Sequence, residues 1–594
     1  MNSLLEKIRL FLFSPNSPIE LKLRTLYHRL SATRLFFRFQ SWKANQSYKK
    51  FLAAQESLPL PPINAIEPPP VVSFILTFCS KEVQKVNTTI DSIKGLKSPY
   101  WEIVLLSPDD VPAANPSRHS NEKRIKFIEA HQKHLINEIS GDYFLICGAG
   151  DTFSNKLLHF FYQHLNEHPD ANVYYSDCEY QSNDSSKPRP FFKPATLSPE
   201  LLLSVNTCSR GIIKKTAIKD QQLLAANRTE AIATEYRIIL QLGENAHNFE
   251  HIPYVLVSQT ELISSDFGEN HQTIQTHLAS KNLKAVSSMK VRQHRRFSWQ
   301  TKTPSISLII PTKNHFQLIK GLITSILDKT DYDNYTINIV DNGSTDRETL
   351  AYYEKIRKDS RFTLIPYSAP FNYSQAINLG VEKTESELVL LLNDDIEVIE
   401  PFWLTELAQW AMRPNIGVVG AKLLRRNNTL QHAGVVIGLN GFAGHIYLNA
   451  PENYQGLFGS PDWYRDYLAL TGACQMVKRD LFTEIEGYDE AYRLAFGDID
   501  FCLRLHDLGY RNVYTPFAKL YHFEGQARGY TTPVSDIIHA YDKMWDNLSK
   551  DDPYYSPNLT HTRIPKCALN DARAMKLEQM ETRRNFYQQK IISS

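Results

Sequence analysis

At 594 residues the chain is too long for one ordinary core, and the usual domain size of roughly 100–200 residues points to two to four units. It is 42% hydrophobic and 22% charged, with a net charge of +2. That is a globular composition with no sign of a nucleic-acid binder overall. The seven cysteines (Cys79, Cys147, Cys178, Cys208, Cys474, Cys502, Cys567) are scattered, odd in number and never spaced as CxxC. Neither a disulfide framework nor a zinc site is favoured, and the expected compartment is reducing.

In chain order, the first feature is a basic segment. Residues 1–50 hold ten Lys/Arg against Glu6 and Glu20, interleaved with Leu4, Leu5, Ile8, Leu10, Phe11, Leu35, Phe36, Phe37 and Phe39. Two readings stay open: contact with an anionic membrane face, or a helical pair packing on its own protein. "SLLEKIRLFLFS" is interrupted by Glu6, Lys7 and Arg9, unlike a secretory signal, and no apolar run approaches the roughly 18–20 residues that span a bilayer. The expectation is a cytoplasmic protein, with residues 1–50 a candidate contact to the inner face of the cell membrane. Residues 1–56 are taken as a basic helical extension and 57–70, "SLPLPPINAIEPPP", as an extended proline-rich linker.

Two strand starts follow, "VVSFILTF" at Val71 and "SISLIIPTKN" at Ser305. Each leads to a helical pattern ("VQKVNTTIDSIKGL", "FQLIKGLITSIL") and then to a second strand ("YWEIVLLS", "YTINIVDNGS"). Further on, "GDYFLICGAGD" (Gly141–Asp151) parallels "SELVLLLNDD" (Ser386–Asp395). The pattern predicts an internal duplication over 71–300 and 301–550, with a C-terminal tail at 551–594. Alternating strands and helices predict α/β domains with mostly parallel sheets covered on both faces.

In such sheets ligands sit at the carboxyl ends of the strands, so the residues just past each strand carry the chemistry. Asp341 follows "TINIV", and Asn393, Asp394 and Asp395 follow "VLLL". Ionised carboxylates gathered there need a cation or donors. Hard oxygen ligands suit Mg²⁺ or Mn²⁺ held together with substrate phosphates, although a double Asp by itself also suits a turn or a helix cap. No GxxxxGK[ST] or GxGxxG loop is present, which disfavours a P-loop NTPase or a dinucleotide enzyme. In "RLAFGDIDFCLRLHDLGY", Phe501, Leu505 and Leu508 mark a helix ending at Gly509, with Asp498 at its start. There the helix dipole favours an ionised carboxylate, making Asp498 a candidate general base or simply an N-cap. "LYHFEGQARGY" adds His522, a candidate metal ligand, and Arg528, a candidate phosphate contact.

Eight motifs in order, "SLIIPTKN", "IVDNGSTD", "FNYSQAINLG", "LLLNDDIEV", "LQHAGVVIGLNGFAGH", "TGACQMVKRDLFTEIEGYDE", "FGDIDFCLRL" and "YHFEGQARG", resemble the inverting family two nucleotide-sugar glycosyltransferases, which have the GT-A fold. The resemblance covers about Ser305 to Tyr530, and the subgroup it is most similar to makes bacterial surface polysaccharides such as O-antigen and rhamnose-containing glycans. It implies two tandem GT-A, Rossmann-like domains and transfer of a hexose-type sugar from a nucleotide-diphosphate donor to a lipid-linked or growing glycan, with Mn²⁺ or Mg²⁺ as cofactor. It also implies roles. Pro311 and Thr312 sit by the nucleotide, Asp341 bonds the base, and Asn372 and Asn378 line the nucleotide-sugar pocket. Asp394 is a ribose or second-sphere partner, Asp395 and His522 are metal ligands, and Asp498 is the base. Gly472, Ala473 and Cys474 would let the acceptor approach the backbone. The family's first DxD position is Asn393 here, and the Glu usual before the base is Gly497.

The first repeat resembles the family less where chemistry matters: Ala149, Gly150 and Asp151 stand for Asn393 to Asp395, and "TEYRIILQL" offers only Glu235 as a relic of the base. A non-catalytic copy is expected, with a second transferase built around Asp109, Asp110 and Asp151 as the rival. Two further readings compete for the whole chain. A nucleotidyltransferase would need a glycine-rich phosphate loop that "PTKNHFQL" does not offer, and a glycan-binding scaffold would not need Asp341, Asp395 and Asp498 together.

Overall fold

The computed structural model describes residues 33–63, 67–78, 82–107, 122–129, 135–182, 185–218, 228–260, 267–281, 285–290, 294–299, 302–523, 532–562, 565–569 and 572–592, with residues 19 and 22 besides. Arg528, Asp109, Asp110 and most of residues 1–32 lie outside the described residues.

The first sheet is built from β1 (Val72–Thr77), β2 (Trp101–Ser107), β3 (Ile125–Glu129), β4 (Tyr143–Gly148), β5 (Thr152–Phe153), β6 (Val173–Ser182), β7 (Ser185–Phe191), β8 (Ile212–Lys214) and β9 (Phe249–Gln259). Their order is β3-β2-β1-β4-β8-β6-β9-β5, with β7 on β6. A hairpin, β10 (Ala285–Lys290) and β11 (His294–Trp299), precedes the second sheet.

That second sheet contains β12 (Ile306–Thr312), β13 (Tyr335–Asp341), β14 (Phe362–Pro366), β15 (Leu388–Leu392), β16 (Ile396–Val398), β17 (Ile416–Leu424) and β18 (Leu430–His432). After the small pair β19 (Val435–Ile437) and β20 (Ala443–His445) it is completed by β21 (Arg465–Tyr467), β22 (Cys474–Lys478) and β23 (Arg511–His522). The order is β14-β13-β12-β15-β22-β17-β23-β16, the same path as the first sheet position by position. The strand senses match too: four parallel strands, then an antiparallel neighbour, then one more parallel pair. The sheets are therefore parallel in one half and mixed in the other.

The central strands are apolar without alternation because both faces are covered: every residue of β1, β4, β12, β15 and β17 is buried. Helix Tyr373–Glu382 lies so close on the second sheet that a Cβ on Gly380 would stand 2.3 Å from Ile309 Cγ2. Helix Gly497–Asp507 buries Phe501, Cys502 and Leu505, but Leu508 is 62% exposed, because the helix ends one residue before it.

The two domains share a continuous apolar core. Across their contact, Arg511 is clamped between Asp466 at 2.9 Å and Glu200 of the first domain. Arg296 of the hairpin pairs with Glu406 at 2.7 Å. Residues 551–562 are wedged in rather than trailing: Ala195 N donates to Tyr555 O, and Asn558 Nδ2 to Asp177 Oδ2. Helix Arg34–Ser57 packs on the protein through Ala44, Tyr48 and Phe51, and Gln55 bonds both backbone groups of Val255 at 2.9 Å. No helix among the described residues is long and apolar enough to cross a membrane, and the six described cysteines are unpaired.

Candidate active site

A cavity of about 550 Å³ opens at the carboxyl ends of β12 and β15 in the second domain, where an open α/β sheet holds its ligands. Pro311, Thr312, Asp394, Asp395, Gly472, Ala473, Asp498 and His522 all line it. These residues come from five stretches of chain and include both aspartates that end β15.

Asp394 and Asp395 have different surroundings. Asp394 Oδ2 accepts Thr312 Oγ1–H at 2.7 Å and lies 3.0 Å from His315 Nδ1, so it ties the end of β15 to the end of β12. Asp395 faces His522, whose Nε2 lies 3.2 Å from Oδ1. Pairing of β16 with β23 fixes this approach, since Ile396 sits opposite His522 and Phe523 N–H donates to Asp395 O at 2.9 Å. Asp395 Oδ1 makes no hydrogen bond beyond its 3.2 Å ion-pair contact with His522 Nε2, and His522 Nδ1 is buried without a hydrogen-bond partner; buried polar atoms of this kind are normally completed by water or a ligand. Among the described residues no group of three or more His, Cys, Asp or Glu could hold a metal ion. Asp395 with His522 fits a hard divalent cation whose remaining positions are filled by phosphate oxygens and water.

Asp498 lines the same cavity from the start of helix Gly497–Asp507, entered through Phe496 in the left-handed region (φ 73). Its Oδ2 accepts Gly472 N–H at 2.7 Å and its Oδ1 accepts Ile499 N–H at 3.0 Å. The carboxylate is thereby fixed beside the turn that enters β22.

Other expected residues lie elsewhere. Asn372 caps helix Tyr373–Glu382, accepting Gln375 N–H at 3.1 Å and donating to Glu490 O at 2.8 Å. Asn378 spends its amide on Tyr488, donating to O at 2.8 Å and accepting from N at 2.9 Å. Neither lines the cavity, whereas Phe371, Tyr373 and Ser374 of the same stretch do. Cys474 is fully buried, with burial pushing its thiol well up, and of the three small residues Gly472 and Ala473 line the cavity while Cys474 does not. Asp341 is folded into its own loop, accepting Ser344 N–H at 3.0 Å and Tyr353 Oη–H at 3.1 Å, outside the cavity lining.

Sequence reasoning missed His315, Tyr373 and His445. Tyr373 Oη donates to Asn393 Oδ1 at 3.0 Å, and His445 Nδ1 lies 2.8 Å from Nδ1 of the buried His432. The second pair was visible only as two histidines inside "LQHAGVVIGLNGFAGH". Burial first, then the neighbouring His445 and His522, pushes the His432 imidazole well below its ordinary range.

The second sheet thus ends in a carboxylate-histidine pair, and a second carboxylate, Asp498, lines the same cavity. Residues 307–485 match the model of glycosyl transferase family 2. It is 31% identical over 532 residues to an uncharacterized protein of Sinorhizobium fredii, covering 83% of this chain and 58% of the relative. It is 30% identical over 554 residues to the O-antigen biosynthesis protein RfbC of Myxococcus xanthus, covering 88% of this chain and 42% of the relative. The chain thus spans about half the length of the curated relatives it matches. Among solved structures it is similar to a mannosyltransferase from Pyrobaculum calidifontis in complex with GDP-Man and Mn²⁺, at 16% identity over 48% of this chain and 74% of that one, with a TM-score of 0.34.

Proposed function

We propose that the second domain transfers a sugar, with inversion, from a nucleotide-diphosphate donor to a hydroxyl of a bacterial surface glycan of the O-antigen kind. The observation that carries this reading is the single cavity lined by Asp395 and His522 together with Asp498. Asp395 and His522 would hold a divalent cation, which when bound supplies positive charge to the diphosphate. Asp498 accepts the proton of the acceptor hydroxyl while that oxygen bonds to the anomeric carbon and the bond to the diphosphate oxygen breaks. One in-line displacement leaves the configuration inverted. Asp394, held by Thr312 and His315, orients the donor's nucleotide end, and Gly472 and Ala473 form the acceptor's approach.

The test is Asp498→Asn with a nucleotide-sugar panel. Transfer should fall by roughly 10²–10⁴-fold while donor-induced thermal stabilisation persists; undiminished turnover would sink the assignment. Asp395→Ala should abolish the metal-dependent part of donor binding, and equal binding with and without metal in the wild type would contradict the ligand role.

The first domain is read as a non-catalytic copy that packs against and supports the second. Helix Arg34–Ser57 is read as the peripheral contact to a membrane face. Its Phe39 and Trp42 are 50% and 56% exposed, their rings stack at 6.1 Å, and Lys43 Nζ lies 4.4 Å from the Phe39 ring centre.

A further inference from the structure

The shared strand order allows carboxylates at matching places in the two domains to be compared. Asp151 is the third residue after Gly148, where β4 ends, as Asp395 is the third after Leu392, where β15 ends. Glu235 stands 14 residues ahead of Phe249, where β9 begins, and Asp498 stands 13 ahead of Arg511, where β23 begins. Each lies on the helix preceding that strand. Each also accepts a backbone N–H from the turn that enters the short neighbouring strand: Arg210 N to Glu235 Oε1 at 2.8 Å, Gly472 N to Asp498 Oδ2 at 2.7 Å.

What differs is the space beside them. In the second domain Asp395 and Asp498 face the cavity. In the first, the Arg210 side chain occupies the matching ground, with Nε 2.6 Å from Asp151 Oδ2 and Nη1 3.8 Å from Glu235 Oε2. Asp151 and Glu235 are 0% exposed and Arg210 is 7% exposed. The rest of Asp151 is satisfied by Gly148 N–H at 2.8 Å and Thr260 N–H at 3.0 Å. One guanidinium faces two buried carboxylates, and it lies closer to Asp151. Burial accordingly pushes Glu235 up to about 7 despite the pull of Arg210.

We propose that Arg210 is a built-in cation: its guanidinium, set against Asp151 and reaching toward Glu235, fills the place that the transferase reading gives, against Asp395 in the second domain, to a divalent cation. The proposal deepens that reading and rests on it for the comparison. A guanidinium stays protonated in proteins and is covalently tethered, so it is not exchanged for a metal ion or displaced by a nucleotide. The first domain is closed to donor by its own side chain, and the matching place is a buried ion pair. Freed of that side chain, the two carboxylates form a latent site for a hard divalent cation.

The experiment uses the full chain as wild type and Arg210→Ala, each also carrying Asp395→Ala, with Mn²⁺ binding counted by depletion of the free-ion electron paramagnetic resonance signal and Tm measured with and without Mn²⁺. Arg210→Ala should bind one more Mn²⁺ per chain than its parent in both backgrounds, and its lowered Tm should recover with Mn²⁺. A folded variant with no added Mn²⁺ and no recovery overturns the proposal. If Arg210→Ala does not fold, Asp151→Asn/Glu235→Gln decides. Its Tm should fall below wild type and return when Arg210→Met is added; a Tm equal to wild type in the double variant overturns the proposal. Failure of the transferase reading is separately visible, as Mn²⁺ binding unchanged by Asp395→Ala alone.

Discussion

Gly472→Ala tests the geometry on which the proposed base depends. A Cβ at position 472 would stand 3.1 Å from Asp498 Cβ, 3.2 Å from Tyr488 Oη and 3.5 Å from Asp498 Oδ2. Carbon atoms settle at about 3.5–4.0 Å, so something must retreat by roughly 0.5 Å. Tyr488 is held, being 1% exposed and donating to Gln475 Oε1 at 2.6 Å. The displacement therefore falls on Asp498 and stretches the 2.7 Å bond from Gly472 N. Misplacement of a catalytic group by about 1 Å costs on the order of 10²-fold in rate, so half of that predicts a fall in kcat of roughly ten-fold, about 1.4 kcal/mol in activation free energy. Donor affinity is assigned to Asp395 and His522 and should stay unchanged. Steady-state transfer and donor thermal shift, read on the same preparation, separate the two. A kcat within about two-fold of wild type, or a loss confined to donor binding, refutes the argument, because a ten-fold effect lies well outside that margin.

Two further outcomes follow from the same structure. Glu235 is held in the folded state at about 7, above its ordinary 4.5. The native chain therefore binds more protons than the unfolded one between those values, and stability contributed by the neutral group is lost as pH rises through about 7. Glu235→Gln should remove that share of the slope, up to about 3 kcal/mol; parallel Tm–pH curves for wild type and variant would contradict it. Replacing Phe39 and Trp42 together by serine should weaken flotation with anionic vesicles several-fold at unchanged Tm, and equal flotation would show that this helix face has no membrane role.

Much of this architecture was legible in local patterns. Continuous apolar runs such as Leu388–Leu392 mark strands covered on both faces, and the place of Asp394, Asp395 and Asp498 at element boundaries follows from where those runs and the helical period stop. Asn372 and Asn378 show the limit. Their motif suggested substrate contacts, but their partners, Glu490 and Tyr488, lie more than 100 residues away, and a side chain's partner at that distance is set by packing rather than by neighbours in sequence. Cys474 sits one residue past the cavity for a related reason: the alternation of β22 turns its side chain into the core.

The sequence alone determined which segments form strands and helices, because hydrophobic period and turn chemistry act over a few residues, and it determined that carboxylates follow strands of the second domain. Only the tertiary structure decided what meets those carboxylates. His522 reaches Asp395 through the pairing of β16 with β23, and Gly472 reaches Asp498 through the turn entering β22. In the first domain Arg210 reaches Asp151 across 59 positions of chain. A carboxylate's role depends on which charge it faces at about 3 Å, and only the fold sets that distance.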